Sequence, residues 1–163
     1  MNLGPMMSLY RTIDLWSRYD MICVNIYPQN LYIGFSKGEM EILDWVHEKT
    51  GKPLIIGEWS VPAMDSELYD FGKDPYDRPL DWSWPQVMKS QAERGEVYRT
   101  CMMQLASEPY MIGAAWFKVF NANSATRRAN RGLVDSGHRE YIEMIQLLSS
   151  TNTEIKEKLN LLP

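Results

Sequence analysis

Three short apolar runs separated by helical patterns constrain the fold of this chain more than any other feature. They lie in "DMICVNIYP", "KPLIIGEWS" and "YMIGAAWFKVF", and they predict strands at about 21–26, 54–58 and 111–117. No hairpin signal joins one run to the next, and apolar strands connected by helices are typical of parallel sheets. The sequence therefore predicts an α/β fold in which helices pack against a parallel sheet.

Helical periodicity fills most of the remaining chain. Apolar residues recur at helical spacing over about 8–18, 38–49, 86–107, 139–149 and 154–160. The pattern is lost in a long loop at 59–85, and loops of this length are often functional. A second loop is predicted at 121–131. Gly95 would cost a helix up to about 1 kcal/mol relative to alanine, which predicts a close approach by a neighbouring element.

Composition and charge exclude several classes of protein. The chain has 163 residues, and its 45% hydrophobic and 23% charged residues are ordinary for one globular domain, which we assign to 1–163. A net charge of -4 argues against a nucleic-acid partner. No run approaches the roughly 18 to 20 apolar residues of a membrane span, and the N-terminus lacks the pattern of a signal peptide. The sequence leaves the cellular location open.

Motifs for metals and organic cofactors are missing from the sequence. Cys23 and Cys101 lie among apolar residues and outside any metal-ligand spacing, so we interpret both as buried thiols. A disulfide between them remains an alternative. The sequence has no HExxH zinc helix, no glycine-rich phosphate loop and no GxSxG elbow. We therefore predict no metal and no cofactor.

Polar and aromatic residues follow the predicted strands. The carboxyl ends of parallel strands form the ligand site in α/β folds, which places Tyr27, Glu58 and Trp116 on one rim. A carboxylate next to a buried strand is unfavourable unless it has a partner or a task. Trp82 and Trp84 in the long loop suit the faces of sugars, or they pin the loop to the rest of the domain.

In this order and at these intervals, "VNIYP", "KPLIIGEWS" and "MIGAAWF" resemble the last three strands of a clan A glycoside hydrolase. The segments "SQAERGEVYRT", "EPYMIGAAWFKVFNA" and "RGLVDSGHREYIEMI" are similar to the agarase-like and beta-galactosidase-like branches of that clan. The resemblance implies a (β/α)8 TIM barrel of parallel strands with outer helices. Such a barrel takes about 250 residues, so this chain is interpreted as its C-terminal portion, with about three βα units.

The resemblance also implies a retaining hydrolase of β-linked poly- or oligosaccharides, such as agarose or a β-galactoside. Glu58 would be the catalytic nucleophile, Tyr27 would orient it through a hydrogen bond, and Trp116 would form the floor of the sugar site. The other residues expected to bind substrate are Asn25, Trp59, Trp82, Trp84, Lys118 and Asn121. The alternatives are a salt-bridged carboxylate at Glu58 and packing roles for the two aromatic residues.

The acid/base glutamate of the clan, part of an Asn-Glu pair, has no counterpart here. The earlier glutamates, Glu39, Glu41 and Glu48, fall in a predicted helix. We therefore expect little hydrolytic activity from the isolated chain. The partners expected besides carbohydrate are the missing N-terminal half of the barrel, or a second copy joined through exposed strand edges. The alternative hypothesis is a non-catalytic carbohydrate-binding remnant or a module that completes a barrel.

Overall fold

A computed structural model describes residues 13–28, 33–68, 87–124 and 127–160. In this part of the chain, three parallel strands form one sheet in the order β1-β2-β3. The strands are β1 (Ile22–Asn25), β2 (Leu54–Trp59) and β3 (Met111–Trp116). The predicted α/β fold with a parallel sheet is confirmed. Four of the six strand ends differ from the expected positions by one residue, and the other two agree.

Three long helices accompany the sheet. Helix α1 (Lys37–Thr50) connects β1 to β2, α2 (Gln91–Leu105) precedes β3, and α3 (Ile142–Lys158) follows β3. Residues 13–16 are also helical, within the predicted helix at 8–18, of which residues 8–12 lie outside the described residues. None of the described helices is long and apolar enough to cross a membrane.

The core lies between the helices and one face of the sheet. Leu54 and Ile56 of β2 are fully buried there, together with Leu43 of α1 and Cys101 of α2. The residues that alternate with them point to the other face, where Cys23 is exposed. The prediction of a buried thiol is therefore confirmed for Cys101 and wrong for Cys23, and the two cysteines form no disulfide.

Capping residues fix where the first two helices begin. Ser36 and Glu39 form a capping box at the start of α1, and Gly51 in a left-handed conformation ends it. Helix α2 begins at Gln91, five residues later than expected, because the Ser90 side chain caps it by accepting a hydrogen bond from the Glu93 amide at 3.2 Å. Met88, shortly before the helix, forms a bridge to Ala63.

The predicted helices at 139–149 and 154–160 are a single helix, α3. The intervening Thr and Asn residues lower helix propensity, but no glycine or proline breaks the pattern. Contacts with α2 stabilise this stretch: Thr151 is fully buried, and the Tyr98 hydroxyl donates to Asn152 Oδ1 at 2.7 Å. Tertiary packing therefore continues the helix through residues that are weak helix formers.

Gly95 in α2 lies against a neighbouring helix, as predicted. A Cβ atom at Gly95 would lie 2.3 Å from Leu147 Cδ1, so the close approach of another element is confirmed, and that element is α3.

The predicted loop at 121–131 contains a two-stranded antiparallel sheet formed by β4 (Ala122–Ser124) and β5 (Arg127–Ala129). Its strands are only three residues long, too short for an alternating pattern to be recognised.

Candidate active site

An extra residue in β2 determines how Glu58 is presented. Val24 of β1 pairs with Ile56, but the next β1 residue, Asn25, pairs with Glu58. The register with β3 shifts over the same stretch of β2, between Ile56 and Trp59. Such a β-bulge interrupts the alternation of side chains along the strand. Glu58 is consequently half-buried at the strand end, while Ile56 and Trp59 on either side of it are fully buried.

The bulge accounts for the glycine that precedes Glu58. A Cβ atom at Gly57 would lie 2.2 Å from Cys23 Sγ and 3.0 Å from Asn25 Oδ1. Real Cβ atoms do not approach this closely, so a side chain at position 57 would require the side chains of Cys23 and Asn25 to move. The Gly-Glu pair at the end of an apolar strand is thus one structural unit.

Tyr27 and Glu58 contact each other across the ends of β1 and β2. The Tyr27 hydroxyl donates a hydrogen bond to Glu58 Oε1. Asn25 is the register partner of Glu58 and is exposed to solvent. The structure therefore brings together three of the residues that the sequence predicts for the site, and it presents a half-buried carboxylate with a phenol donor on it.

Arg131 contacts residues that follow β1 and β2 as well as the last residue of β3. Its side chain is 1% exposed, and its guanidinium carbon lies 5.1 Å from the centroid of the Tyr27 ring. Its Nη1 atom donates to the carbonyl oxygen and the Oγ of Ser60, at 2.8 and 3.1 Å. Its own carbonyl oxygen accepts a hydrogen bond from Trp116 Nε1 at 3.0 Å. One buried residue thereby connects the ends of the three strands, to β1 and β2 through its guanidinium group and to β3 through its backbone carbonyl.

The two tryptophans at the strand ends have different surroundings. Trp116 is half-buried, and its ring is in edge contact with Trp59 at 5.1 Å between centroids. Trp59 is fully buried and stacks on Tyr98 of α2 at 5.6 Å. A direct sugar contact from Trp59 conflicts with this burial, because the bulge turns the ring towards the helices. We therefore correct the predicted role of Trp59 to one of core packing.

The remaining residues predicted to bind substrate are Lys118, Asn121, Trp82 and Trp84. Lys118 follows β3, is half-buried, and its backbone amide donates to the Arg131 carbonyl oxygen at 3.3 Å. Asn121 is buried: its Nδ2 donates to Tyr141 Oη at 2.9 Å, and its Oδ1 accepts from the Gly132 amide at 2.7 Å. These bonds leave Asn121 in a structural role instead of the predicted one. Trp82 and Trp84 lie outside the described residues.

A carboxylate that the sequence did not single out, Glu67, fastens the loop after β2 to the segments after β3. It accepts hydrogen bonds from the Asn121 amide at 3.1 Å, from the Ser136 backbone amide at 2.8 Å and from the Tyr141 hydroxyl. Partial burial raises the pKa of Glu67, but these hydrogen bonds outweigh it and lower the pKa to about 2. Burial, followed by the nearby carboxylate, raises the pKa of Tyr141 to about 12.

A second buried arginine, Arg94, hydrogen-bonds the backbone of the residue that follows Arg131. Arg94 of α2 is fully buried and donates through Nη2 to the Gly132 carbonyl oxygen at 3.0 Å and through Nη1 to Gln91. Burial lowers the pKa of Arg94 to about 10. Sequence reasoning missed both arginines as site residues because buried cations follow no hydrophobic period. The available signal is that each arginine is followed directly by glycine, at 94–95 and 131–132.

The chemistry of the site is that of a carboxylate with hydrogen-bond donors. In the ranges that the structure describes, no group of three or more His, Cys, Asp or Glu side chains is arranged to hold a metal ion. A carboxylate fixed at a strand end can attack an electrophilic carbon or stabilise a developing positive charge. Both tasks are required in the cleavage of glycosidic bonds.

Comparisons with known proteins agree with this chemistry. No protein-family model matches the chain. The chain is 26% identical over 141 residues to "Beta-agarase B" of Vibrio sp. (strain JT0107), an alignment that covers 83% of this chain and 13% of the agarase. The solved structure of an exo-beta-agarase matches with a TM-score of 0.66 and 26% identity, over 94% of this chain and 18% of that one.

A further solved structure, that of PfGH50B, matches with a TM-score of 0.67 and 25% identity, over 91% of this chain and 19% of that one. The chain therefore spans less than a fifth of the length of each of these relatives. Together with the parallel sheet and its helices, these similarities support a resemblance to part of a TIM-barrel glycoside hydrolase.

Proposed function

We propose that this chain supplies the nucleophile side of the active site of a retaining β-glycosidase. The observation that carries the proposal is the hydrogen bond from Tyr27 to Glu58 at the carboxyl ends of β1 and β2. Retaining hydrolysis requires a carboxylate that attacks the anomeric carbon. A charge-assisted hydrogen bond from a rigid neighbour holds such a carboxylate in one orientation and leaves its second oxygen available for attack.

The residues around Glu58 are proposed to bind the sugar in two ways, by hydrogen bonds to its hydroxyl groups and by contact of an aromatic ring with its apolar face. Asn25 is exposed beside Glu58, where it can hydrogen-bond a sugar hydroxyl. Trp116 offers a half-buried ring for the apolar face of the sugar, and Lys118 follows it in the chain. Trp82 and Trp84 stay in the proposal as residues of the long loop that would contact the same substrate.

The second carboxylate of a retaining site is proposed to come from outside this chain. Retaining enzymes place the two carboxyl groups about 5 to 5.5 Å apart. The three glutamates that precede Glu58 lie on α1: Glu39 caps the helix, Glu41 pairs with Lys37 at 3.6 Å, and Glu48 is exposed. None of them is at a strand end, so none is suited to protonate the leaving oxygen.

The proposed substrate is a β-linked galactose-containing poly- or oligosaccharide. The support for it is the similarity to two proteins named as beta-agarases. The same strand-end arrangement would also serve other β-linked sugars, so the choice of sugar depends on residues beyond the nucleophile.

Rescue by azide tests the role of Glu58 without the second carboxylate. The variant Glu58→Ala is incubated with 2,4-dinitrophenyl β-D-galactopyranoside, whose leaving group departs without protonation, in the presence and absence of azide. We expect azide to accelerate dinitrophenolate release at least about tenfold and to yield the α-galactosyl azide, because the anion takes the place of the missing nucleophile.

Glu48→Ala serves as the matched control, since Glu48 is exposed on α1. It should yield no α-galactosyl azide, because Glu58 still attacks the α face of the sugar, and any galactosyl azide formed by attack on the glycosyl-enzyme should be the β-anomer. Bound sugar without azide-dependent release in Glu58→Ala would instead favour a non-catalytic carbohydrate-binding protein.

A further inference from the structure

Arg131 is placed to control the contact between Tyr27 and Glu58. It is almost completely buried, lies against the ring of Tyr27, and donates two hydrogen bonds to Ser60, which is two residues beyond Glu58. One side chain thus contacts Tyr27 and the segment that directly follows Glu58. We propose that Arg131 is a positioning residue that keeps the Tyr27 hydroxyl on Glu58, an inference that rests on the proposed function of Glu58.

The geometry of the guanidinium group suits this task. A cation within about 6 Å of a ring centroid is attracted to the ring face, which restrains the Tyr27 ring from the side of Arg131. The planar group can at the same time donate from its edge to Ser60, so the ring and the end of β2 are held at a fixed separation. Lysine would keep the charge without the planar fork, and methionine would keep only the apolar length.

The backbone of Arg131 is fixed independently of its side chain. Its carbonyl oxygen accepts from Trp116 Nε1, and the carbonyl oxygen of the next residue, Gly132, accepts from the buried Arg94. A Cβ atom at Gly132 would lie 2.3 Å from the Asn121 backbone nitrogen, so this turn is tightly packed. A change in the Arg131 side chain should therefore alter the Tyr27 contact more than the path of the chain.

The first test is NMR of the chain labelled with [13Cζ]tyrosine, because it does not depend on enzymatic activity. Tyr27→Phe identifies the Tyr27 signal, and Glu58→Gln shows how far the signal moves when the carboxylate is neutralised. We expect Arg131→Met to move the Tyr27 signal in the same direction as Glu58→Gln, and Arg131→Lys to move it less. The signals of Tyr98 and Tyr110 should stay in place and report that the variants are folded.

Gly95→Ala is the control for loss of stability alone, since Gly95 lies at the contact of α2 with α3. It should leave the Tyr27 signal unchanged. A Tyr27 signal that is unmoved in folded Arg131→Lys and Arg131→Met would overturn the positioning role. If Arg131→Met does not fold, Arg131→Lys alone decides: an unchanged signal in that variant counts against the proposal.

The second test separates this inference from the proposed function. The rate of covalent labelling by 2,4-dinitrophenyl 2-deoxy-2-fluoro-β-D-galactopyranoside is measured for Arg131→Lys with Tyr27 intact and with Tyr27→Phe. We expect the arginine substitution to slow labelling roughly tenfold when Tyr27 is intact and to have no further effect with Tyr27→Phe, because it acts through the hydroxyl.

Equal slowing in both backgrounds would show that Arg131 acts independently of Tyr27 and would contradict the positioning role. Absence of labelling in the unsubstituted chain would count against the proposed function instead. The NMR experiment would then still decide whether Arg131 maintains the contact between Tyr27 and Glu58.

Discussion

At the scale of single residues, Glu58 depends on the glycine before it and on the tyrosine opposite. Gly57 leaves room for Cys23 and Asn25, and the bulge around it keeps Glu58 out of the core that receives Trp59. Tyr27 then donates to one carboxylate oxygen. The sequence alone indicated the Gly-Glu pair and the tyrosine, because both follow apolar strands. It did not indicate Arg131, whose contacts with Tyr27, Ser60 and Trp116 join residues distant along the chain.

Tyr27→Phe should slow formation of the glycosyl-enzyme while preserving the fold. The ring can keep its contact with Arg131, and only the hydroxyl that donates to Glu58 is lost. A hydrogen bond to a charged group contributes about 1.5 to 3 kcal/mol, so we expect a reduction of roughly 10- to 100-fold in the labelling rate constant. An unchanged rate in a variant of wild-type stability would show that the hydroxyl does not assist Glu58.

Glu67 should make the stability of the chain sensitive to acid. Folding lowers its pKa from 4.5 to about 2, so the carboxylate stabilises the folded state above about pH 4.5, and this contribution is lost as the pH falls towards 2. Glu67 is exposed to solvent, which limits the effect to about 1 kcal/mol. Urea unfolding at several pH values between 2 and 6 measures it.

Glu67→Gln is expected to flatten this dependence on pH. Glu143→Gln, at an exposed position of α3, should retain the dependence of the unsubstituted chain. Equal pH profiles for all three proteins would mean that the hydrogen bonds of Glu67 do not stabilise the folded state.

At the scale of helices and strands, local signals located the elements and tertiary contacts set their limits. The capping box at Ser36 and the left-handed Gly51 involve residues close to the ends of α1, where the sequence predicts a helix at about 38–49. The start of α2 was missed because it depends on Ser90 and on a bridge between Ala63 and Met88. The continuity of α3 was missed because it depends on contacts with α2.

Gly95→Ala should lower the free energy of unfolding by about 1 to 3 kcal/mol. Alanine is normally the better helix former, but its Cβ would lie 2.6 Å from the Leu147 Cβ, so α2 and α3 would have to move apart. Gly38→Ala in α1 is the control, because no atom lies within 4 Å of a Cβ at that position. Stabilisation by both substitutions in urea titrations would contradict the proposed close packing.

At the scale of the whole molecule, the described sheet has helices on one face and an open second face. Cys23 and Asn25 are exposed on that face. In the described ranges β3 pairs only with β2, and Ile112 of β3 is 57% exposed at this sheet edge, beside an apolar groove between α2 and α3. The apolar runs predicted a parallel sheet, but the number of strands in a sheet depends on which segments meet in space.

The exposed edge of β3 should promote self-association of the chain. Unpaired backbone groups beside an exposed isoleucine are a common route to pairing between chains. We expect sedimentation velocity to show species larger than one chain at high protein concentration, and Ile112→Lys to reduce them. Ile142→Lys, which changes an equally exposed isoleucine at the start of α3, should have little effect. A single monomeric species at every concentration would contradict this prediction.

The central claim is that Glu58 is a nucleophile, and the most direct test is to locate a trapped glycosyl group on the chain. The protein is incubated with 2,4-dinitrophenyl 2-deoxy-2-fluoro-β-D-galactopyranoside, whose leaving group needs no acid catalyst, and is then digested and analysed by peptide mass spectrometry. We predict one added fluorogalactosyl group, attached to Glu58, and no addition in Glu58→Gln. A group attached to another residue, or equal labelling of Glu58→Gln, would contradict the claim.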